Sequence, residues 1–175
     1  NKLIRLLKVL AGQVGQVADM MALSRETGMS FPTLKKYLAV LDKAFLIQML
    51  RPFSLHPAVE IAKSPKFYFS DSGLMSMLWL NGFSPTMLEP IFKTNIFGEL
   101  IKKIGREAVA FWRSKAGAEV DFIVQKNSSN LAVDASINFQ GFSSKNITLF
   151  KKRYNPKRWR LIGLEGEKLK KNGFY

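Results

Sequence analysis

Apolar residues in the first part of the chain recur at helical spacing in three successive stretches. The stripe from Leu3 to Leu10 predicts a helix that stops near Gly12. A second, shorter helix is predicted over residues 17–27, with Gly28 as its C-terminal stop. Ser30 is a favourable N-cap for a third helix. The apolar residues of that third helix fall within a narrow arc that should face a core: Phe31, Leu34, Leu38 and Leu41.

Two short strands are predicted next, at residues 45–50 and 66–69, and they complete the element order of a winged helix-turn-helix. We therefore expect a winged-helix domain with its linker over residues 1–80, with the third helix as its recognition helix. The outward face of that helix carries Lys36 and Lys43, which could meet phosphates or base edges. Val40, in the middle of the same face, favours packing on another protein surface instead. DNA contact and protein docking both stay open.

Residues 81–90 (NGFSPTMLEP) form a turn-rich stretch that is the best candidate for a domain boundary. Beyond it we expect a second domain over residues 91–175, with a hairpin turn at 126–130. Its predicted elements are a helix, three strands, a helix and a strand, at 91–104, 111–113, 119–125, 131–137, 143–154 and 159–164. The predicted fold class is mixed α/β (α+β): a winged helix-turn-helix followed by a small mixed-sheet domain.

Positive charge is concentrated in the second half of the chain. The chain has 175 residues and a formal net charge of +14; residues 91–175 hold 17 basic and 7 acidic side chains, and residues 1–90 hold 10 and 6. A basic block of this kind points to a polyanion, most simply nucleic acid held through its phosphates. A solvated basic surface, or a face that meets an acidic protein, would have the same composition. The basic residues after Ser143 are Lys145, Lys151, Lys152, Arg153, Lys157, Arg158, Arg160, Lys168, Lys170 and Lys171.

Cysteine, histidine and hydropathy exclude several other classes. There is no Cys and only one His, His56, so disulfide frameworks, thiolate-bound metals and His-rich metal sites are excluded. No apolar run approaches the roughly 18 residues that a membrane span needs. The N-terminus lacks a signal-peptide pattern, so we expect a cytoplasmic protein without membrane contact. A start at Asn1 rather than Met suggests a fragment.

Acidic residues of the predicted hairpin are the candidates for a metal-binding or catalytic site. By strand alternation Glu119, Asp121, Ile123 and Gln125 share one face, and Asp134 on the partner strand could lie near Asp121. Glu99, on the preceding helix, could add a third carboxylate. Clustered carboxylates suit Mg²⁺, which activates water and stabilises charge on a phosphate during hydrolysis.

A helix Glu, a strand Asp and then an acid-x-Lys is the order of the PD-(D/E)xK nuclease core, in which the Lys helps to orient or activate the attacking water. Here the last element reads Asp134-Ala135-Ser136, so a serine without positive charge stands in the lysine position. Lys115, Lys126 or Lys145 could substitute for it if one lies close. Spacing alone also leaves these acids open as surface residues or salt-bridge partners.

Three longer motifs resemble a known family. Residues 62–74 (AKSPKFYFSDSGL) resemble a KSPK-x-YF-x-D-[ST]-GL signature, and residues 111–122 (FWRSKAGAEVDF) are similar to FWR-[ST]-K-x-G-x-EVDF. Residues 95–100 (NIFGEL) look like an EN-x-V-x-x-EL helix, with Thr94 where that family usually has Glu. These motifs belong, in this order, to an uncharacterised C-terminal region in a family of prokaryotic AAA+-type ATPases.

The resemblance implies an N-terminal P-loop ATPase, a winged helix and then a PD-(D/E)xK (restriction-endonuclease-like) domain. This chain contains no G-x-x-x-x-G-K-[ST], so ATP would bind only in an N-terminal part that lies outside it. The family's nuclease-like residues map onto Glu99, Asp121 and Asp134. Where relatives often show EVK, this chain has Asp134-Ala135-Ser136.

We therefore expect the DNA-binding or regulatory C-terminal module of an AAA+-type ATPase, with a degenerate nuclease-like core. Its partners would be duplex DNA and its own ATPase domain, and an oligomer is possible. Its candidate metal is Mg²⁺, held by Asp121 and Asp134. Two alternatives remain: an active Mg²⁺-dependent nuclease with a migrated Lys, and a protein–protein module that assembles the ATPase. Whether the chain is an enzyme is thus undecided. The expected nucleic-acid-binding residues are Lys36, Lys43, Arg113, Lys115, Lys151, Lys152, Arg153 and Arg158.

Overall fold

Helices and strands of the computed structural model group into two compact units. Unit 1 comprises Asn1–Leu50 and Ser64–Asn95, and unit 2 comprises Arg51–Lys63 and Ile96–Tyr175. The structure describes residues 1–56, 58, 64–126, 129–139, 142 and 145–166, and for residues 126 and 129 it describes the backbone alone. Three features of the sequence lie outside the described residues: the basic residues at 168, 170 and 171, part of the hairpin turn predicted at 126–130, and the start of the helix predicted at 143.

Unit 1 begins with three helices and continues with an antiparallel strand pair. Its elements are α1 (Lys2–Gly12), α2 (Met20–Thr27), α3 (Phe31–Lys43), the first four residues of β1 (Ile47–Pro52), β2 (Lys66–Phe69), α4 (Ser72–Leu80) and the start of α5 (Glu89–Ile104). In the strand pair Ile47 faces Phe69 and Leu50 faces Lys66. An isolated bridge joins Val17 to Lys66 on the other side of β2. The predicted order of three helices and two strands is confirmed.

Local capping explains where α2 ends and α3 begins. Gly28 adopts φ +63°, a left-handed conformation that costs glycine little, and ends α2 as predicted. The Ser30 hydroxyl accepts the Thr33 amide at 3.4 Å, so the predicted N-cap of α3 is confirmed. Leu34, Leu38 and Leu41 are buried, as their helical spacing predicts.

Helix α4 is absent from the predicted elements, although its cap is visible in the sequence. The Asp71 carboxylate accepts the Leu74 amide at 2.7 Å and caps the helix. The residues that follow (SGLMSMLWL) are apolar at most positions, so they lack the alternation with polar residues by which an amphipathic helix is identified.

Unit 2 contains a mixed sheet. Its elements are the end of β1, the end of α5, a 3₁₀ helix (Arg106–Ala108), β3 (Val109–Arg113), β4 (Glu119–Lys126), β5 (Ser129–Ala135), α6 (Lys145–Tyr154) and β6 (Arg158–Ile162). Strands β3, β4 and β5 pair antiparallel in chain order. Helix α6 connects β5 to β6, which pair in parallel. On the other side of β3, Arg51 and Pro52 of β1 pair in parallel with Ala110 and Phe111. The mixed α/β fold class is confirmed.

A β-bulge in β4 overturns one prediction. Ala110 faces Ile123 and Trp112 faces Val120, so Phe111 of β3 stands opposite two residues of β4, Asp121 and Phe122. The extra residue breaks strand alternation: Val120 and Ile123 both join the core formed with α6. The prediction that Glu119, Asp121, Ile123 and Gln125 share one face is therefore wrong.

The compact units differ from the predicted segments 1–80 and 91–175. Residues 81–90 belong to unit 1, and α5 continues from unit 1 into unit 2. The predicted domain boundaries remain a prediction, because contact grouping does not test whether a segment folds separately. Of the described helices, none combines the length and the apolarity needed to cross a membrane.

Stability should depend on pH through the cap of α2. The Asp19 carboxylate accepts the amides of Ala22 and Met21 at 2.9 Å each, and these bonds, Ala22's foremost, lower the pKa of Asp19 below its ordinary 3.8. A carboxyl group whose pKa is lower in the folded protein than in the unfolded chain stabilises the fold at pH values above its pKa in the unfolded chain. That stabilisation is lost as the pH falls through the pKa that the group has in the folded protein. We expect Asp19→Asn to lower the melting temperature at neutral pH, by an amount that shrinks once the pH drops below 3.8.

Thermal unfolding followed by circular dichroism over a pH series measures this difference. Asp19→Ser should show the same pH dependence as Asp19→Asn, since serine and asparagine both keep a cap that does not titrate. A melting-temperature difference between Asp19→Asn and wild type that stays constant with pH would contradict the prediction.

Candidate functional site

Asp121 and Asp134 lie together on neighbouring strands and tie them to each other. The Asp121 amide donates to Asp134 Oδ1 at 3.0 Å, and the Ala135 amide donates to Asp121 Oδ2 at 3.0 Å. Both residues are buried, with exposed fractions of 6% and 7%. The predicted proximity of the two carboxylates is confirmed, and each one accepts an amide hydrogen bond from the opposite strand.

The bulge explains why these carboxylates serve as acceptors. The regular β4–β5 register runs from Lys126↔Ser129 to Phe122↔Val133 and ends next to the two acids. The bulge on β4 involves Asp121, and a bulge disrupts the backbone ladder and re-aims side chains. Buried amides need acceptors, and here carboxylate oxygens supply them.

Glu99 does not join this pair. Its carboxylate lies on α5 with 58% of the side chain exposed and accepts a hydrogen bond from Lys102 Nζ at 3.0 Å. The Lys102 ammonium lowers the pKa of Glu99. Within the described part of the chain, no three His, Asp or Glu side chains form a group that could hold a metal ion.

This donor set fits Mg²⁺ poorly. One oxygen of Asp121 and one of Asp134 accept backbone amides, and the third predicted carboxylate pairs with a lysine. These two bonds use one oxygen of each carboxylate, so among the described residues the donors left for a divalent cation are two carboxylates without a third, fewer than the oxygen ligands such an ion takes.

The lysines considered as replacements for Ser136 have other placements. Lys115 is exposed and donates to the Ala58 carbonyl at 2.7 Å. Lys145 is exposed at the first turn of α6. The side chain of Lys126 lies outside the described residues. Ser136 itself donates from its hydroxyl to the Asn138 carbonyl at 3.2 Å.

Most of the residues predicted to bind nucleic acid are on the surface of their units. Lys36 and Lys43 are exposed on α3 in unit 1. In unit 2 Arg113 is half-buried, and its guanidinium bonds Glu119 Oε2 at 2.8 Å. Of the other five, Lys115 lies in the β3–β4 turn and four lie on α6 and β6: Lys152, Arg153 and Arg158 are exposed, and Lys151 Nζ lies 5.8 Å from the centre of the Trp159 ring.

One cleft of unit 2 brings two of these residues together. Lys115, from the β3–β4 turn, and Arg153, from α6, line the same opening. Leu149 and Ser114 line it as well, and neither was among the predicted site residues. The signal for Leu149 comes from the structure, because it is an apolar residue left 45% exposed on a helix whose last turn is basic.

Removing either buried acid should destabilise the fold. Asp121→Ala leaves the Ala135 amide without this acceptor, and Asp134→Ala does the same to the Asp121 amide. We expect each variant to lower the free energy of unfolding by about 1–3 kcal/mol, and the Asn variants, which keep an acceptor oxygen, to lose less.

Urea denaturation provides the measurement, with Glu99→Ala as the control. Because Glu99 is exposed, its replacement should change the free energy of unfolding by no more than about 0.5 kcal/mol. Equal stability of Asp121→Ala and Glu99→Ala would show that the carboxylates do not tie the strands.

Comparison with known protein families finds a match to the first half of the chain. Residues 1–86 match a family model described as Domain of unknown function (DUF8612). No curated protein and no solved structure matches the chain. The matched segment covers α1 to α4 and ends before the acid pair; of the residues that line the cleft it includes Ala58.

Proposed function

We propose that this chain binds nucleic acid, duplex DNA foremost, through the basic surface of unit 2. The observation that carries the proposal is the run of basic residues over α6, β6 and the turn between them: Lys151, Lys152, Arg153, Lys157, Arg158 and Arg160. The run spans ten residues of the chain and contains no acidic residue. A polyanion that meets such a surface releases counterions, which drives binding without any need to read sequence.

Four acidic residues of unit 2 support this proposal because each is buried or already has a basic partner. Glu99 pairs with Lys102 and Glu119 pairs with Arg113. Asp121 and Asp134 are buried between β4 and β5. The basic surface is therefore not neutralised by these four acids, and its field acts on a partner.

The acid pair supports binding rather than cleavage. A nuclease site of the PD-(D/E)xK type uses carboxylates that hold a metal ion, with a positively charged lysine beside them. Here both acids accept backbone amides and Ser136 stands in the lysine position. We interpret Asp121 and Asp134 as structural residues of a degenerate nuclease-like core.

The exposed face of unit 1 carries both basic and apolar residues, which makes it a weaker candidate for reading DNA bases. The exposed face of α3 carries Lys36 and Lys43, but Val40 between them is 64% exposed. Phe45, just beyond the helix, is 69% exposed. Under this proposal unit 1 is a winged helix that contributes phosphate contacts or docks the ATPase region of a longer, cytoplasmic AAA+-type protein.

Salt dependence tests the binding proposal. We expect a labelled duplex, followed by fluorescence anisotropy, to bind the whole chain at low salt and to weaken steeply as salt rises. Lys152→Ala and Arg158→Ala should each weaken binding of all sequences alike and reduce the slope of log affinity against log salt by about 1.

Lys102→Ala is the matched control, because it removes a basic residue that already pairs with Glu99 on α5. It should leave the slope unchanged. The absence of any duplex binding at low salt would refute the proposed function.

A Mg²⁺-dependent nuclease is the second candidate, and the contact between the Asp121 and Asp134 strands favours it. It predicts that wild type nicks supercoiled plasmid with Mg²⁺ or Mn²⁺ and that Asp121→Asn does not. If plasmid stays intact with both proteins while duplex binding persists, the chain holds DNA without cutting it.

A further inference from the structure

The cleft lined by Lys115 and Arg153 differs from the rest of the basic surface of unit 2 because it is concave and partly apolar. Its volume is about 360 Å³, and Trp112, Leu149 and Ala116 line it together with Ser114 and the two basic residues. This is close to the lower end of the range for small-molecule sites, about 300–1,000 Å³. A flat or convex basic surface suits a duplex backbone, whereas a concave site of this size suits a single small unit of a ligand.

Two cations at one cleft favour a ligand with more than one negative charge. A phosphodiester within a strand carries a single charge, whereas a phosphate monoester carries about −1.5 to −2 near neutral pH and offers three acceptor oxygens. The guanidinium of Arg153 presents a planar fork of donors suited to such a group. The Lys115 ammonium lines the same opening and adds donors of its own.

Lys115 is positioned for this contact by a backbone group. Its ammonium donates to the Ala58 carbonyl at 2.7 Å, and Ala58 also lines the cleft. An ammonium has three donors, so this bond orients the side chain and leaves it able to donate to a ligand oxygen. The flexible lysine stem loses less freedom on binding when it is already held in place.

The apolar part of the cleft favours a ligand with a flat apolar group next to its phosphate. Leu149 is 45% exposed at the rim, whereas Trp112 is 1% exposed. Trp112 packs edge-on against Phe150, so it forms a fixed wall. An exposed apolar residue beside two cations can cover the flat face of a base, which inorganic phosphate lacks.

We propose that this cleft binds one nucleotide that carries a terminal phosphate monoester, either at the end of a nucleic-acid strand or as a free nucleoside monophosphate. The inference deepens the proposed function, on which it rests for the strand-end source. It predicts that the chain distinguishes phosphorylated ends from unphosphorylated ends, which a purely electrostatic surface does only weakly.

The test compares a short single-stranded oligonucleotide with and without a phosphate at its 5′ end, titrated into the whole chain. We expect the phosphorylated form to bind about tenfold more tightly, the effect of roughly one charge-assisted hydrogen bond. Arg153→Gln and Lys115→Gln should each abolish this preference. Lys102→Ala, which removes a charge elsewhere on unit 2, should leave it intact.

Leu149→Ser separates the two parts of the site. It should weaken binding of the phosphorylated oligonucleotide while inorganic phosphate competes equally well against both proteins. Competition by thymidine monophosphate would show that a free nucleotide suffices. Competition by a longer phosphorylated strand alone would identify the strand end as the ligand.

The failures of the two proposals are distinguishable. Equal affinity for phosphorylated and unphosphorylated oligonucleotides, with duplex binding retained, would overturn the cleft assignment and leave the proposed function standing. A phosphate preference that survives in both Gln variants would also overturn it. Nucleotide binding without any duplex binding would overturn the proposed function and support the cleft.

Discussion

The end of the β4–β5 pair depends on two carboxylates that each accept an amide hydrogen from the opposite strand. Asp121 and Asp134 supply these acceptors where the regular β4–β5 ladder ends. Carboxyl groups are costly to bury unless hydrogen bonds satisfy them, and the two amide donors provide part of that compensation. Each bond engages one oxygen of its carboxylate. The arrangement thus links both acids to the stability of the sheet.

With the acids engaged, the chemistry left on the surface of unit 2 is cationic. Helix α6 and strand β6 carry basic residues suited to phosphates in general, and the cleft between the β3–β4 turn and α6 has an apolar wall. The two proposals assign these features different ligands: the backbone of a duplex to the basic residues and a single phosphorylated nucleotide to the cleft. Under both proposals together, the chain would recognise strand ends within a longer nucleic acid.

Local signals in the sequence were sufficient for much of the fold. Ser30 and Gly28 mark helix ends through their own side chain and backbone freedom, and the strand at Lys66–Phe69 appears where it is predicted. Helix α4 was not predicted because most of its residues are apolar, which hides the helical period. The bulge at Asp121 and Phe122 was not predicted because the pairing of β4 with β3 determines it, and no conformational preference of the local sequence indicates it. For the site, spacing predicted that Asp121 and Asp134 meet, but it could not show that Glu99 pairs with Lys102, nor that Lys115 and Arg153 share a cleft.

Amide hydrogen exchange at Asp121 and Ala135, followed by NMR with and without Mg²⁺, tests the central claim most directly. The account predicts that both amides exchange slowly, as buried donors to carboxylates do, and that Mg²⁺ changes neither their exchange rates nor their chemical shifts. Fast exchange at these two positions, or a shift of both resonances on addition of Mg²⁺, would show that the carboxylates are available to a metal ion and would contradict the account.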